Sequence, residues 1–376
     1  MNLGIDARLF HEQTGIGRYT RSLFAEYVHL NFSSQDQIYL FHDTPSPLFE
    51  ADELPDNVHL VTAQCKRRIV WTNWCLPPLL RQHQVDVYHG VCNFELPLRK
   101  VCRYVVTIHD LVPLFFPELV PKKHLLFFRL FMKRAAHTAD VIITDSEHSK
   151  QDIVRYLQVS EKKVRVIYLG FTPPDPHKSV RLSLPPVLRR YHISRPYVLF
   201  VGVIEPKKNL ERLVDAFARL RHRYAGGQAL QLVLAGGKGW FSEQLYQKVR
   251  TLNLENHVLF TGFVPDDDLP CLYRGAELFV FPSIYEGFGL PVLEAMSYGT
   301  PVVTSLSSSL PEIAGNACML VDPLNPDAIF QGMLAVLTDN VTRDNMRTAG
   351  PRQAQKFSWK RTAEHTYQVY REVCST

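Results

Sequence analysis

The chain has 376 residues, more than the ~250–300 at which a single hydrophobic core stops growing, so two domains are expected. Hydrophobic residues make up 46% and charged residues 21%, which is typical of a globular protein and argues against disorder as its main state. The formal net charge of +5 is too small to favour a nucleic-acid partner, and none is expected.

The cysteines and the apolar runs indicate a soluble cytoplasmic protein. Seven cysteines occur singly, without a C-x-x-C pair, which favours a reducing compartment over a disulfide framework or a zinc site. The start, MNLGIDARLF, lacks the basic and long apolar segments of a signal peptide. No window approaches the ~18 apolar residues of a spanning helix, so an integral membrane protein is not expected.

Short apolar runs alternate with amphipathic segments in the first half of the chain. Strands are predicted at Leu3–Asp6, Ile38–Phe41, Val58–Thr62, Val85–His89, Tyr104–His109, Val141–Thr144 and Val164–Leu169. Helices are predicted between several of them, at Gly17–Val28 and Ser146–Tyr156, with Ser146 as a helix cap. Repeated strand–helix–strand units predict a parallel sheet with helices on both faces.

The pattern is interrupted over residues 170–196, which are rich in proline and lack a long periodic segment, as in a linker between domains. Strands are predicted again at Tyr197–Val203, Leu230–Ala235, Val258–Thr261, Leu278–Pro282 and Pro301–Thr304, with helices near 209–222, 242–252, 289–298 and 326–338. We therefore expect one α/β domain over 1–180 and a second over 181–357. A C-terminal helix over 358–376 is expected to pack back on the first domain.

The strongest motif is FPSIYEGFGLPVLE (Phe281–Glu294), which follows a predicted strand and leads into a helix. Glu286 and Glu294 are separated by seven residues, and two glycines follow the first carboxylate. Glycines let a ligand approach the backbone, and the N–H groups that open a helix attract phosphate. Carboxylates accept hydrogen bonds from vicinal hydroxyls. A glycine turn with a helix-start glutamate is the alternative, which the full string makes less economical.

This string closely resembles the E-x7-E motif of the retaining glycosyltransferases of GT-B fold, family 4 (group 1), which include bacterial mannosyl- and glucosyltransferases. The resemblance covers nearly the whole chain and implies α/β architecture, with two Rossmann-like domains and a central interdomain cleft. It implies that Glu286 lies by the donor sugar and that Glu294 binds the ribose. It also implies donor contacts from the segment after Glu286, that is, from Gly287, Phe288, Gly289 and Leu290.

Two adjacent lysines, Lys207 and Lys208, follow the first predicted strand of the second domain in FVGVIEPKKN. A cation there can stabilise the negative charge that a departing nucleoside diphosphate gains. The string resembles the family's G-x-x-E-P-R-K-N, with Lys207 in place of Arg, so the bidentate geometry of Arg is missing. Val203 stands where some members carry another Arg. A solvated lysine pair that opens a helix is the alternative.

Two loops of the first domain carry further candidates. Gly15 and Gly17 accompany Arg18 at the start of a helix, and by resemblance this loop faces the donor diphosphate. A tight turn and a surface charge are the alternatives. His109 lies at the carboxyl end of a predicted strand, and by resemblance it reaches the donor sugar, although a lone histidine at a strand end is more often structural. Asp110 is expected to support its loop.

The segment TGFVPDDDL offers a contact for the nucleotide base. By resemblance, Phe263 and Val264 lie against the base. Asp266–Asp268 has the composition of a metal site, but a turn that opens the next helix is the simpler interpretation. Because the lysines and backbone N–H groups already meet the charge of the diphosphate, no metal or other cofactor is expected.

Two basic stretches, residues 60–103 and 119–137, are candidates for the acceptor side. The second, PKKHLLFFRLFMKRAAH, is predicted as a basic helix with apolar residues, and docking on anionic lipid at the inner face of the membrane is one interpretation of it. An ordinary packed helix is the alternative. Trp71, Trp74 and residues 90–97 are candidate contacts for a glycan or lipid-linked acceptor, or else core residues.

The resemblance implies a hexosyltransferase that retains anomeric configuration, and we expect front-face substitution with His109, Lys208 and Glu286 as the catalytic residues. The strings EPKKN and TGIGRYT resemble mannosyltransferases of bacterial polysaccharide synthesis, so GDP-mannose is the first candidate donor. Alternatives are a UDP-glucose or UDP-GlcNAc type of donor, a sugar-nucleotide epimerase or a glycosidic phosphorylase. A non-catalytic sugar-nucleotide-binding protein is an alternative from another class.

Overall fold

A computed structural model describes residues 1–12, 15–29, 36–43, 54–65, 67–119, 122–171, 184–240 and 242–375. The chain divides into two compact units. The first comprises Met1–Pro117, Pro121–Gly170 and Ser358–Thr376, and the second comprises Phe171–Phe357 with Glu118–Val120. The boundary predicted between residues 180 and 181 lies outside the described residues.

The first unit is built on a parallel sheet of seven strands in the order β3-β2-β1-β4-β5-β6-β7. Its strands are β1 Asn2–Asp6, β2 Gln37–His42, β3 Val58–Thr62, β4 Val87–Gly90, β5 Arg103–Thr107, β6 Val141–Thr144 and β7 Val164–Val166. Its α-helices begin with α1 Gly15–His29, α2 Arg68–Val70, α3 Leu76–Gln82, α4 Val112–Phe115, α5 Lys122–Thr138 and α6 Glu147–Leu157. A π-helical turn, Trp71–Cys75, joins α2 to α3.

The second unit has a parallel sheet of six strands in the order β10-β9-β8-β11-β12-β13. Its strands are β8 Tyr197–Val201, β9 Gln231–Ala235, β10 Val258–Gly262, β11 Leu278–Phe281, β12 Val302–Ser305 and β13 Met319–Val321. Its α-helices are α7 Leu184–Arg190, α8 Leu210–Arg223, α9 Glu243–Thr251, α10 Leu269–Gly275, α11 Leu290–Ser297, α12 Leu310–Ala314, α13 Pro326–Thr338 and α14 Asn340–Ala354. Central strands such as β8 and β11 are almost wholly buried, because helices cover both faces.

The order of the strands decides which loops meet. In the second unit β11 pairs with β8, so the loops that follow these strands emerge side by side at the carboxyl edge of the sheet. In the first unit β5 pairs with β6, which brings the segments after Thr107 and Thr144 together. Ligands of parallel sheets bind at this edge, and the candidate residues of both units therefore lie there.

The C-terminal helix α15, Trp359–Ser375, belongs to the first unit, where it packs on α1 and lies over β4, β5 and β6. Gly170 allows its close approach, because a Cβ at that position would lie 1.9 Å from the backbone nitrogen of Trp359. Among the helices of the described ranges, none combines the length and apolar character that crossing a bilayer requires.

Most predicted elements agree with the structure to within a few residues, but the helices α3, α4 and α14 are not predicted, and there are further differences. The predicted linker contains the helix α7, since prolines in the first turn of a helix are tolerated where its N–H groups lack partners. The short β13 and α12 carry too few residues for a periodic pattern. His109 lies two residues beyond β5 rather than within a strand.

Candidate functional site

Lys208 and Glu286 form a buried ion pair in the second unit, at the adjacent ends of β8 and β11. The Nζ of Lys208 lies 2.6 Å from Oε1 of Glu286, and the Nζ of Lys207 lies 3.9 Å from Oε2. Lys207 also lies 3.6 Å from Glu205. The structure therefore joins the two strongest motifs, which are 78 residues apart in sequence, through their charged side chains.

Serine hydroxyls fix the loop that carries Glu286. Ser283 donates a hydrogen bond to Oε1 of Glu286, and Ser308 accepts one from the Glu286 N–H at 3.0 Å. Ser309 donates to the carbonyls of Glu286 and Phe288, at 2.9 and 2.7 Å. Ser283 lies within the FPSIYEGFGLPVLE motif, which assigns it no role, and Ser308 and Ser309 lie outside every predicted motif. The only signal for Ser308 and Ser309 in the sequence is the run SLSSSL, which directly follows the predicted strand Pro301–Thr304.

The charge state of Glu286 follows from its surroundings. Burial raises the pKa of its carboxyl, but attraction to Lys208 and Lys207, together with hydrogen bonds from Lys208 and Ser283, outweighs burial and lowers the pKa below its usual value. Glu286 is therefore a carboxylate at neutral pH, and it balances a lysine charge in a region that excludes most water.

Asn209 holds the lysine turn against the loop that carries Glu286. It adopts a left-handed φ of +60° and donates from Nδ2 to the carbonyls of Pro282 and Pro323, at 3.1 and 2.6 Å. The N–H of Ile284 donates to the carbonyl of Lys207 at 2.9 Å. Asn209 ends the EPKKN string, which assigns it no role, although asparagine is enriched among non-glycine residues at left-handed positions.

The glycine segment has one position that requires glycine on two grounds. Gly289 has a φ of +119°, and a Cβ there would lie 2.7 Å from Cδ2 of Leu310. Leu290 is half-buried and begins α11, whose first N–H groups are therefore presented at the end of this loop. Gly287 and Phe288 are buried, and the Phe288 ring packs edge-to-face on Phe357.

Glu294 lies in α11 and is buried, with Oε2 accepting a hydrogen bond from the hydroxyl of Tyr273 at 2.7 Å. Tyr273 belongs to α10, and it is not predicted from the motif. Of the two residues expected against a nucleotide base, Phe263 exposes 50% of its surface, whereas Val264 is buried in the core. Only Phe263 therefore offers a ring that a base can stack on without rearrangement.

In the segment Asp266–Asp268, the last aspartate is engaged by protein side chains. Oδ2 of Asp268 accepts hydrogen bonds from Arg190 and Tyr191, each at 2.6 Å. Within the described part of the chain, no cluster of three or more His, Cys, Asp or Glu side chains has the arrangement of a metal site. Asp268 instead ties the start of α10 to the segment around α7.

In the first unit, His109 is held by both ring nitrogens. Nδ1 lies 2.7 Å from Oδ2 of Asp145, and Nε2 lies 3.1 Å from the carbonyl oxygen of Val91. Because a carbonyl only accepts hydrogen bonds, Nε2 carries a proton. Burial lowers the pKa of His109, but attraction to Asp145 and the hydrogen bond with it outweigh burial, so the pKa is raised. A ligand that binds either nitrogen has to displace one of these partners.

Asp145 and His109 each shift the pKa of the other. Burial raises the pKa of Asp145, and His109 opposes that rise. The raised pKa values of both groups keep a proton on the pair. Oδ1 of Asp145 is buried and has no hydrogen-bond partner within the described residues. The predicted cap is confirmed next to it, since Ser146 caps α6 by accepting a hydrogen bond from the N–H of Ser149 at 3.1 Å.

Gly15 and Gly17 differ in what their missing side chains permit. A Cβ at Gly17 would lie 1.9 Å from the carbonyl oxygen of Glu12, whereas a Cβ at Gly15 would enter open space. Gly17 therefore lets α1 approach the turn before it, which is the tight-turn interpretation. Both residues and the half-buried Arg18 lie in the first turn of α1. Residues 13 and 14 of this loop lie outside the described residues.

The candidate acceptor residues divide into buried and exposed groups. Trp71 is fully buried, with the Arg8 guanidinium 4.2 Å from its ring centroid, and belongs to the core. Trp74 is 63% exposed. In α5, Leu126 and Leu130 are 65% and 62% exposed. Lys66, residues 120–121 and the side chains of residues 122–124, which belong to the two predicted basic stretches, lie outside the described residues.

Comparisons with known proteins agree with this architecture. The family described as group 1 glycosyl transferases matches residues 192–353, and glycosyltransferase family 4 matches residues 14–173. The chain is 33% identical over 380 residues to the O-antigen chain mannosyltransferase B of Escherichia coli, covering 95% of this chain and 96% of that protein. It is 31% identical over 289 residues to the serotype-specific mannosyltransferase WbdA of E. coli, covering 72% of this chain but 33% of that longer protein.

Solved structures share the fold over the full length. Sucrose-phosphate synthase from Thermosynechococcus elongatus superposes with a TM-score of 0.77 at 19% identity, covering 100% of this chain and 99% of that one. HepE of Anabaena, in complex with UDP-glucose, superposes with a TM-score of 0.73 at 18% identity, covering 99% of each chain. At these identities the likeness shows the fold alone.

Two parallel-sheet α/β units, one with a lysine–glutamate site at its strand ends, define a glycosyltransferase of GT-B fold. The chain belongs to the group 1 glycosyltransferase family, with a family 4 glycosyltransferase domain in its N-terminal half. The fold class and the enzyme class that the sequence predicts are therefore confirmed.

Proposed function

We propose that the chain is a retaining transferase that moves a hexose from a nucleotide-sugar donor to a hydroxyl of a glycan or lipid-linked acceptor. Mannose from GDP-mannose is the first candidate, supported by 33% identity over nearly the full length to an O-antigen chain mannosyltransferase. The observation that carries the proposal is the buried Lys208–Glu286 pair, with Lys207 beside it, at the carboxyl ends of adjacent strands.

In this proposal the second unit binds the donor. Lys207 and Lys208 bind the diphosphate together with the N–H groups that open α11, since both supply positive charge at one sheet edge. The diphosphate competes with Glu286 for Lys208, so part of the Glu286 carboxylate becomes available to the hydroxyls of the donor sugar. Glu294, oriented by Tyr273, binds the ribose, and the exposed ring of Phe263 stacks on the base.

The chemical step is front-face substitution. The sugar–phosphate bond breaks while the acceptor hydroxyl approaches the anomeric carbon from the same side, which retains the configuration. Lys207 and Lys208 stabilise the charge on the departing diphosphate, and this electrostatic contribution is the main source of rate enhancement. His109 orients the donor sugar from the first unit. No metal takes part, because the lysines and backbone N–H groups supply the positive charge.

The test is product analysis with purified enzyme. GDP-mannose, UDP-glucose and UDP-GlcNAc are each incubated with and without a panel of glycan and lipid-linked acceptors, in the presence of a chelator. We expect transfer from GDP-mannose only when an acceptor is present. NMR of the product should show that the anomeric configuration is retained. An epimerised donor without acceptor, phosphate-dependent cleavage of a glycosidic bond, or binding without turnover would instead indicate one of the alternative functions.

We also propose peripheral contact with an anionic membrane at the cytoplasmic face, through the exposed face of α5. Leu126 and Leu130 lie four residues apart and are 65% and 62% exposed, so they occupy one side of the helix. Among the described side chains, the other exposed residues on that face are Arg129, Lys133, Arg134 and His137. The two arginines and the lysine suit anionic headgroups. The buried face carries Phe128 and Met132.

Vesicle co-sedimentation tests this contact. Wild type is expected to sediment with vesicles that contain phosphatidylglycerol. With neutral phosphatidylcholine vesicles, the protein is expected to remain in the supernatant. The double variant Leu126→Ser/Leu130→Ser should lose most binding, because it removes the apolar part of the surface without changing charge. The matched control is Val341→Ser, another exposed apolar residue on a helix, in the second unit. Equal binding by wild type and the double variant would contradict the contact.

A further inference from the structure

A continuous row of buried hydrogen bonds joins the C-terminal helix to α1 in the first unit. The hydroxyl of Tyr370 lies 2.7 Å from Nδ1 of His89, and Nε2 of His89 lies 2.8 Å from the hydroxyl of Thr107. The Thr107 hydroxyl lies 3.1 Å from that of Tyr19. All four side chains are fully buried. We refer to Tyr370, His89, Thr107 and Tyr19 as the relay.

The relay ends at two residues of the proposed donor site. The ring of Tyr19 meets the imidazole of His109 at nearly a right angle, with 4.9 Å between centroids. Tyr19 also directly follows Arg18 in the first turn of α1. A displacement of the Tyr19 ring therefore changes the surroundings of His109 and of this helix start together.

The relay has a defined direction. Burial lowers the pKa of His89 to about 3, and repulsion from His109 adds to the effect, so its imidazole is neutral with one donor and one acceptor nitrogen. The Tyr27 hydroxyl donates to the Tyr370 oxygen at 3.0 Å, which directs the Tyr370 proton to Nδ1 of His89. Nε2 then carries the ring proton and donates to Thr107. The loss of one member leaves a neighbour unpaired in the buried interior, which is costly.

The contact with Tyr19 adds a packing constraint to the other partners of His109. Asp145 and Val91 bind the two ring nitrogens, at 2.7 and 3.1 Å, and the Cβ of His109 anchors the ring on its third side. The Tyr19 ring packs at nearly a right angle against the imidazole, so it opposes a displacement of the His109 ring from this position.

We propose that Tyr370, His89 and Thr107 are positioning residues for sugar transfer: through Tyr19 they hold the ring plane of His109 and the start of α1. The inference rests on the proposed function, because the contact of His109 with the donor sugar is part of that proposal. None of the three touches the donor. Their effect is on the orientation of groups that do, so kcat changes more than the KM for the donor.

The test compares isosteric variants of one relay residue with a matched control on the same strand. Thr107→Val removes the hydroxyl at constant shape, and Thr107→Ser keeps the hydroxyl. Tyr370→Phe breaks the relay at its far end. The control is Tyr104→Phe in β5, since the buried Tyr104 hydroxyl bonds to the backbone of Arg99 and Val101 and lies outside the relay. Donor-saturation kinetics and chemical denaturation are measured for each variant.

We expect Thr107→Val and Tyr370→Phe to lower kcat by about tenfold or more while the donor KM changes by less than about threefold. Thr107→Ser should restore most of kcat. Tyr104→Phe should lose comparable stability and keep kcat. Wild-type kcat in Thr107→Val and Tyr370→Phe overturns the inference, as does an equal loss in Tyr104→Phe, which would indicate general destabilisation.

A second measurement separates the relay from the proposed function. The ring resonances and pKa of His109 are followed by NMR in wild type, Thr107→Val and Tyr104→Phe, without any substrate. We expect them to change in Thr107→Val only. If wild type transfers no sugar from any donor, the proposed function fails, but this measurement still tests whether the relay positions His109. Unchanged His109 resonances in Thr107→Val overturn the relay even when the enzyme is active.

Discussion

The surroundings shift the pKa of a buried site residue in opposite directions in the two units, downward for Glu286 and upward for His109. In the second unit, Glu286 stays charged because two lysines and a hydroxyl outweigh burial, and its pKa is lowered. In the first unit, His109 and Asp145 retain a proton, and the pKa of His109 is raised. The first arrangement offers a lysine whose partner a diphosphate can replace. The second offers a ring whose nitrogens are already engaged, so its value lies in a fixed orientation.

The comparison predicts the largest effect for the lysine–glutamate pair. Glu286→Gln keeps the shape and removes the charge, and Lys208→Met removes the cation, so each should lower kcat by roughly 10²–10³-fold, the usual cost of losing one electrostatic contact in a transition state. Steady-state kinetics with the preferred donor measures the change. Near wild-type turnover in either variant would contradict the assignment of the donor site to this pair.

The matched control for Lys208→Met is Lys248→Met in the same unit. Lys248 pairs with Asp215 at 2.6 Å, but both side chains are partly exposed. A partly exposed ion pair stabilises a protein by about 0–1 kcal/mol, so the control should fold and turn over like wild type. An equal loss of turnover in both variants would mean that the loss reflects charge removal in general.

Asn209 gives the next largest expected effect. Asn209→Ala removes two buried hydrogen bonds, each worth about 0.5–1.5 kcal/mol, and a partly buried one that Oδ1 accepts from Arg212. It also puts a Cβ-bearing residue that cannot hydrogen-bond locally at a left-handed φ, which costs about 1–2 kcal/mol. From the two buried bonds and the backbone strain, we expect the free energy of unfolding of the second unit to fall by about 2–5 kcal/mol. Asn209→Gly loses the same bonds without the backbone strain and should lose about 1 kcal/mol less. Equal losses would mean that the left-handed position is not strained.

A third prediction concerns the glycines of α1 in the first unit. Gly17→Ala forces a Cβ against the Glu12 carbonyl and should destabilise the fold by about 1–3 kcal/mol, as overpacking does. Gly15→Ala meets no atom and should stay within about 0.5 kcal/mol of wild type. If the Gly15 backbone approaches the donor diphosphate, Gly15→Ala raises the donor KM. Thermal unfolding and donor-saturation kinetics of the two variants separate the packing role from the binding role.

These sites also show which features of the structure the sequence predicts and which it does not. The apolar runs predict which segments are strands, so the positions of Glu286, Lys208 and His109 at or near strand ends follow from the sequence. The pairing of Lys208 with Glu286 requires that β8 and β11 be neighbours, and the pairing of His109 with Asp145 requires the same of β5 and β6. Strand order depends on contacts between distant segments, which no local pattern encodes.

Residues that hold others in place were harder to predict. Tyr273 orients Glu294. Asn209, the last residue of the EPKKN string, ties two loops together. The motifs assign a role to neither residue. The helix α7 lies where proline content predicts a linker, because two of those prolines fall in a first turn that tolerates them. A motif therefore identifies the groups that carry charge better than the groups that position them.

The smallest expected effect tests the opposite directions of the two pKa changes. His109 has a raised pKa, so its contribution to stability is complete below its ordinary value of 6.5 and is lost as pH rises through the value in the folded state. The difference in unfolding free energy between wild type and His109→Gln should therefore shrink from pH 6 to pH 9, by about 1.4 kcal/mol for every tenfold difference in proton affinity between the folded and unfolded states.

Glu286 has a lowered pKa, so the difference in unfolding free energy between wild type and Glu286→Gln should shrink when pH falls below its ordinary value of 4.5. Denaturant unfolding across pH measures both differences. If the two free-energy differences changed with pH in the same direction, the pKa values of His109 and Glu286 would not be shifted in opposite directions.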